Sequence, residues 1–232
     1  VITEPALTNI GIVLPEPGFL DGLRALCTQY GALLLIDETH TFSLGPGGCT
    51  QAWNLKPDLF VIGKSIGGGI PCGAYGITNE IADAIRRNLE ADLVDVGGVG
   101  GTLAGNVLST AAMRATLGDV LTAPAFEHMI AMATRFTAGV ERVILETKVP
   151  WSIVQLGART EYLFTSPAPT SGSASALVED EELEDYLHLF MSNRGVLMTP
   201  FHNMALMCPT TSAADVDLHM ALFTKAVGDL VS

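Results

Sequence analysis

The sequence predicts an α/β fold, and three observations carry that expectation. Two short runs, Ala32-Leu33-Leu34-Leu35-Ile36 and Asp58-Leu59-Phe60-Val61-Ile62, are too uniformly apolar for strands with one wet face, and read as parallel strands covered on both sides. A helical pattern precedes the first run: Phe19, Leu23, Leu26 and Cys27 recur at helical spacing within Gly18 to Tyr30, and Gly31 stands where a helix stops. A Gly- and Pro-rich connection, Ser43 to Cys49, joins the two runs, so helix, strand, connection and strand alternate as α/β domains require.

The other elements follow in chain order. Val1-Ile2-Thr3 reads as the tail of a strand, followed at once by Glu4-Pro5; with no initiator Met, the chain is expected to begin inside a domain. Trp53 to Pro57 leads into the second apolar run, which ends at Gly63-Lys64 ahead of Gly67-Gly68-Gly69. Cys72 to Thr78 reads as a strand, Glu80 to Leu89 as a helix and Gly97 to Gly101 as a flexible loop. Asn106 to Leu117 opens a mostly helical region, with a long amphipathic helix over Ala125 to Lys148. The composition changes around Pro150: strands are expected near Trp151 to Gln155 and Thr160 to Thr165, then a polar loop from Ser166 to Ser175. An acidic helix over Asp180 to Asn193, a short strand at Val196 to Thr199 and a final helix over Ala213 to Leu230 complete the chain. No internal repeat or heptad array is present.

Composition excludes several classes. At 232 residues and 48% apolar content the chain can fill a sizeable core. A net charge of −13 with only 12 Lys and Arg argues against nucleic-acid binding, which needs a basic stripe to displace phosphate counterions. Cys27, Cys49, Cys72 and Cys208 follow no metal-ligand spacing, so neither a metal site nor a disulfide framework is expected, and they read as reduced thiols of a cytoplasmic protein. No apolar run approaches the ~20 residues a membrane span needs, and the N-terminus lacks the order of a secretion signal, so no membrane partner is expected.

The chemistry sits where the two apolar runs end. Asp37-Glu38 follows the first and Lys64-Ser65 the second, and ligands of open α/β sheets bind at the carboxyl ends of strands. A strand-end Asp is commonly a cap or turn former, and a lone Lys is commonly solvated. Their conjunction, with a triple-glycine turn after Lys64 that lets backbone approach a ligand, points further. An amine at a desolvated strand end can act as nucleophile and base, as Schiff-base chemistry requires. A carboxylate that keeps a pyridine nitrogen protonated is its companion in pyridoxal-phosphate (PLP) chemistry. Gly63-Lys64-Ser65 is not a P-loop, because Asp58 stands where that motif needs its first Gly. The glycine run at 97–101 likewise lacks the strand-before, helix-after context of a dinucleotide fingerprint.

Four segments carry a family likeness: Asn9-Ile-Gly-Ile-Val-Leu-Pro-Glu-Pro-Gly-Phe-Leu20, Gly31-Ala-Leu-Leu-Leu-Ile-Asp-Glu38, Pro57-Asp-Leu-Phe-Val-Ile-Gly-Lys-Ser-Ile-Gly-Gly-Gly-Ile-Pro-Cys-Gly-Ala-Tyr-Gly76 and Gly100-Gly-Thr-Leu-Ala-Gly-Asn106. They resemble the class III PLP-dependent aminotransferases, in particular the glutamate-1-semialdehyde aminomutase-like branch. The resemblance covers essentially the whole chain. It implies a fold-type I PLP-dependent transferase, with residues 1–124 the C-terminal part of a large, mainly parallel-sheet domain and residues 125–232 a smaller C-terminal α/β domain.

The resemblance also implies residue roles. Lys64 would form the Schiff base with PLP and shuttle the substrate's α-proton, and Asp37 would pair with the pyridine nitrogen. Thr39 falls where the family usually has a Val on the ring face. His40 falls where a side chain, usually Met or Gln, reaches toward the cofactor's phenolic oxygen. Thr102 matches the threonine that contacts the cofactor phosphate of the neighbouring subunit, implying a homodimer with shared active sites. Arg159, the one arginine among the C-terminal strands, is a candidate anchor for a substrate carboxylate, with an ion pair to a neighbour such as Glu161 the equal alternative. Trp53, His202 and Asn203 are further candidates for the pocket. Family members are longer, and their N-terminal half supplies the phosphate loop and the aromatic residue that stacks on the ring; neither is in this sequence. The resemblance therefore implies a fragment, a processed product or a piece of a split enzyme.

The activity implied is ping-pong amino transfer between a small amino donor and a keto acceptor, or an intramolecular aminomutase reaction. Two alternatives stand beside it: an inert chain serving as a structural or assembly partner, and a PLP enzyme of another reaction type, such as a decarboxylase or racemase.

Overall fold

The computed structural model describes residues 1–87, 101–199 and 202–232, folded as two compact units. The first unit comprises residues 1–5, 18–42 and 49–122. Its sheet has the order β1 (Ile2–Thr3), β2 (Leu35–Asp37), β3 (Leu59–Gly63) and β4 (Gly73–Ile77). β1, β2 and β3 are parallel, with Thr3 opposite Ile36 and Asp37 opposite Val61, whereas β4 returns antiparallel to β3. Helix α1 (Phe19–Gln29) lies against β2 through Cys27, Leu34 and Ile36, all buried, with Leu23 and Ala32 packed around them. The Asp58 carboxylate joins helix and strand, accepting from Arg24 Nη1 and from the Leu34 amide, each at 2.7 Å.

The expectation of strands covered on both faces is only half met among the described residues. Leu33 is 47% exposed and every residue of β3 is half-buried. The short helix α2 (Gly48–Ala52) follows the Gly- and Pro-rich connection. Helix α3 (Asn79–Arg87) starts where predicted, while Leu89 and most of the expected 97–101 loop lie outside the described residues. Helix α4 (Val107–Ala115) is capped by Asn106, whose side chain accepts from Ser109 N at 2.9 Å, and runs on into a π-helical turn, Thr116–Val120.

The second unit comprises residues 6–17, 43–48 and 123–232. Its antiparallel sheet has the order β5 (Ser152–Leu156), β6 (Arg159–Leu163) and β7 (Met204–Leu206). Helix α5 (Ala123–Thr147) buries Phe126, Met129, Ala133, Phe136, Val140 and Val143, the alternating three- and four-residue spacing of one helix face. That face meets α8 (Ala213–Val231), where a Cβ on Gly139 would stand 2.8 Å from Met220 Cγ. A capping box between Ser212 and Asp215 starts α8.

Two expectations for this unit are corrected. The polar loop contains a short helix, α6 (Gly172–Ala176), started by the Ser171 side chain. Val196 to Thr199 is not a strand. After α7 (Glu181–Ser192), Gly195 takes a φ of 85° and the Val196 amide donates back to Met191 O at 3.0 Å. That bond closes the helix end and uses the amide a strand would need. The third strand is instead β7, whose Ala205 pairs with Thr160.

Candidate active site

Three parallel strands ending on one side bring their following residues together. Glu4 follows β1, residues 38–40 follow β2, and Lys64 follows β3. Asp37, half-buried at the tip of β2, accepts at Oδ1 from the Thr39 amide at 2.9 Å. That turn sets Thr39 beside β3, its Oγ1 3.9 Å from where a Cβ on Gly63 would stand. His40 Nε2 contacts Lys64 Nζ directly, and Nδ1 of the same ring faces Glu4 Oε2 at 3.9 Å. Asp37, Thr39, His40 and Lys64 therefore lie together at neighbouring strand ends. Glu4 joins them unpredicted, although its position immediately after a strand was the same signal that singled out Asp37 and Lys64.

Glu38 belongs elsewhere. It is fully buried, and its carboxylate accepts from Thr41 Oγ1 and from the amides of Cys49 and Thr50. Three donors satisfy a buried charge and tie residues 41 and 49–50 to the end of β2.

Lys64 is exposed and has a φ of 52°, a left-handed conformation uncommon for a residue with a side chain. It opens a 3₁₀ turn, Lys64–Gly67, closed by Gly68 at φ 57°. The glycines here answer internal crowding as much as ligand access. A Cβ on Gly67 would lie 2.4 Å from Cys72 Sγ, and one on Gly68 2.7 Å from Thr116 Oγ1. The Lys64 turn is thereby packed against the segment before β4 and the turn after α4.

Thr102 is exposed, in the turn leading to the Asn106 cap of α4. Arg159 is 4% exposed; its Nη2 donates to Glu161 Oε2 at 3.0 Å and to Thr8 O, the ion-pair alternative left open by the sequence. Glu161 in turn meets His202 Nδ1 at 3.0 Å. His202 and Asn203 line a cavity of ≈ 640 Å³ within the second unit, together with Glu161, Glu184 and His188. Burial raises the Glu184 carboxyl above its ordinary range, against the pull of His188 and His202. Trp53 is half-buried in the first unit. Among the described residues, no group of three or more His, Cys, Asp or Glu is placed to hold a metal ion, and no helix is long and apolar enough to cross a membrane.

Residues 1–227 match the aminotransferase class-III family. Glutamate-1-semialdehyde 2,1-aminomutase of Syntrophobacter fumaroxidans is 37% identical over 203 residues, covering 86% of this chain and 45% of that protein. The crystal structure of a glutamate-1-semialdehyde-aminomutase from Pseudomonas aeruginosa PAO1 in complex with PMP superposes with a TM-score of 0.95 at 46% identity, covering 99% of this chain and 52% of that one. A β-phenylalanine aminotransferase from Variovorax paradoxus superposes with a TM-score of 0.83 at 25% identity, again covering 99% and 52%. These neighbours share the fold-type I α/β architecture. The chain spans about half the length of the curated relatives it matches.

Proposed function

Because the chain belongs to the class-III aminotransferase family, we propose that it is the C-terminal portion of a PLP-dependent aminotransferase or aminomutase whose cofactor lysine is Lys64. The observation that carries this reading is the convergence of Lys64 with Asp37, Thr39 and His40 at the ends of adjacent parallel strands. An exposed amine, a half-buried carboxylate, a hydroxyl and an imidazole form a donor set that fits PLP. When bound, PLP supplies the aldehyde that a lysine amine captures and the electron sink that makes an α-proton labile.

The chain's own residues divide the remaining work. Lys64 Nζ holds the cofactor and, when free, takes and returns a proton at the substrate's α-carbon. Asp37 is assigned to the pyridine nitrogen, Thr39 to the ring face and His40 to the phenolic oxygen. Thr102, exposed before α4, is assigned to the cofactor phosphate of a partner subunit, which makes the protein a homodimer with shared sites. Residues 1–124 are assigned to the large cofactor domain and 125–232 to the small one. Arg159 is assigned to holding β6 through Glu161 and Thr8, in preference to anchoring a substrate carboxylate. The substrates are a small amino acid or amine and a keto acceptor, in keeping with relatives named for glutamate 1-semialdehyde and β-phenylalanine. A cytoplasmic setting suits four free thiols.

The test is covalent. After incubation with PLP and reduction with borohydride, peptide mapping is expected to find the cofactor on Lys64. A Lys64→Ala protein is expected to lose amino exchange. Exchange at the native rate in that variant overturns the assignment.

A further inference from the structure

Lys64 is not a solitary amine. Its Nζ contacts Nε2 of His40, and the opposite ring nitrogen, Nδ1, faces Glu4 Oε2 at 3.9 Å. The three groups follow three successive parallel strands, so the sheet register itself puts carboxylate, imidazole and amine in order. His40 and Glu4 are partly screened from solvent, with 23% and 31% of their side chains exposed.

We propose that Glu4 and His40 form a relay that takes a proton from the Lys64 amine and so prepares it to capture an aldehyde. The inference rests on Lys64 being the cofactor lysine. A lysine amine is overwhelmingly protonated near neutral pH and cannot attack a carbonyl until it loses a proton. Along the line between Nζ and Nε2 there is room for one proton. In one arrangement it sits on Nζ beside a neutral imidazole. In the other the Nζ–H bond has broken, the electron pair stays on Nζ, the proton is on Nε2, and an imidazolium stands between a free amine and the Glu4 carboxylate. Both arrangements carry the same total charge. Glu4 favours the second, because it faces the side of the ring that becomes positive. Among the described residues, the ionisable groups at these strand ends are Glu4, Asp37, His40 and Lys64; the Glu38 carboxylate is turned into the neighbouring loop. A base oriented by a third group is the general device for activating a weak nucleophile.

The experiment compares native protein with His40→Gln and Glu4→Gln. Glutamine at position 40 can still accept a hydrogen bond but cannot take the proton, and glutamine at position 4 keeps the size of Glu4 without its charge. The readout is the rate of acetylation of Lys64 by acetic anhydride at pH 7 without PLP, measured by peptide mass relative to Lys56, Lys148 and Lys225 in the same sample. Both variants are expected to slow Lys64 selectively, with melting temperatures confirming that they fold. Unchanged relative rates in both variants overturn the relay. If one variant fails to fold, the other decides. Failure of the cofactor assignment reads out separately, as absence of borohydride-fixed PLP from Lys64 in the native protein.

Discussion

Cys208 and Cys49 show how far neighbours decide what one atom type does. Cys208 is exposed, and hydrogen bonds from the hydroxyls of Thr210 and Thr211 lower its thiol to about 7. Cys49 is fully buried, and burial, reinforced by the Glu38 charge, pushes its thiol up. Iodoacetamide at pH 7 is therefore expected to alkylate Cys208 while Cys27 and Cys49 stay unmodified in the folded protein; Thr211→Val should slow the Cys208 reaction, as peptide mapping over time would show. None of this contrast was legible in the sequence, where all four cysteines are alike in lacking ligand spacing. The site residues were more legible. Asp37 and Lys64 each end an apolar run, a signal that survives without coordinates. Glu4 ends a run of only three residues, too short to stand out, and its pairing with His40 depends on β1 lying beside β2.

At the scale of elements, the long helices were legible because each carries both a periodic apolar face and a chemical boundary. Gly31 follows α1 and Ser212 caps α8. The strand expected at 196–199 failed because Gly195 ends α7 with a left-handed turn whose closing bond reaches one residue further, to Val196. β7 was missed because three partly exposed residues make no pattern of their own and are defined only by pairing with β6.

The interior of α8 leads to a prediction about acid stability. His219 packs against Phe136 with ring centroids 4.7 Å apart and lies 6.2 Å from Phe223; burial lowers its imidazole from 6.5 to about 4. The unfolded chain binds a proton here as pH falls through about 6.5, whereas the folded chain does not until about 4. The contribution to stability is thus fully present above about 6.5 and is lost progressively down to about 4, amounting to about 3 kcal/mol. In His219→Phe, the drop in stability between pH 7.5 and about 4.5 should shrink by about 2–3 kcal/mol, measured by urea denaturation at both pH values.

At the scale of the whole molecule, the α/β reading and the family likeness were available from the sequence because the motif residues are built into the fold. Asn106 caps α4, and the glycines after Lys64 leave room for Cys72 and Thr116. Coverage of the strands was not legible. The two apolar runs imply neighbours on both faces, yet among the described residues one face of β2 is packed by α1 while Leu33 is left 47% exposed.

The left-handed backbone of Lys64 carries a cost in thermal endurance. Any residue with a Cβ held at φ 52° raises the energy of the native state, and glycine does not. Of two variants that both lack the amine, Lys64→Gly should therefore melt above Lys64→Ala. The gap should be about 2–4 °C, the equivalent of about 1 kcal/mol in a chain of this size, by differential scanning calorimetry.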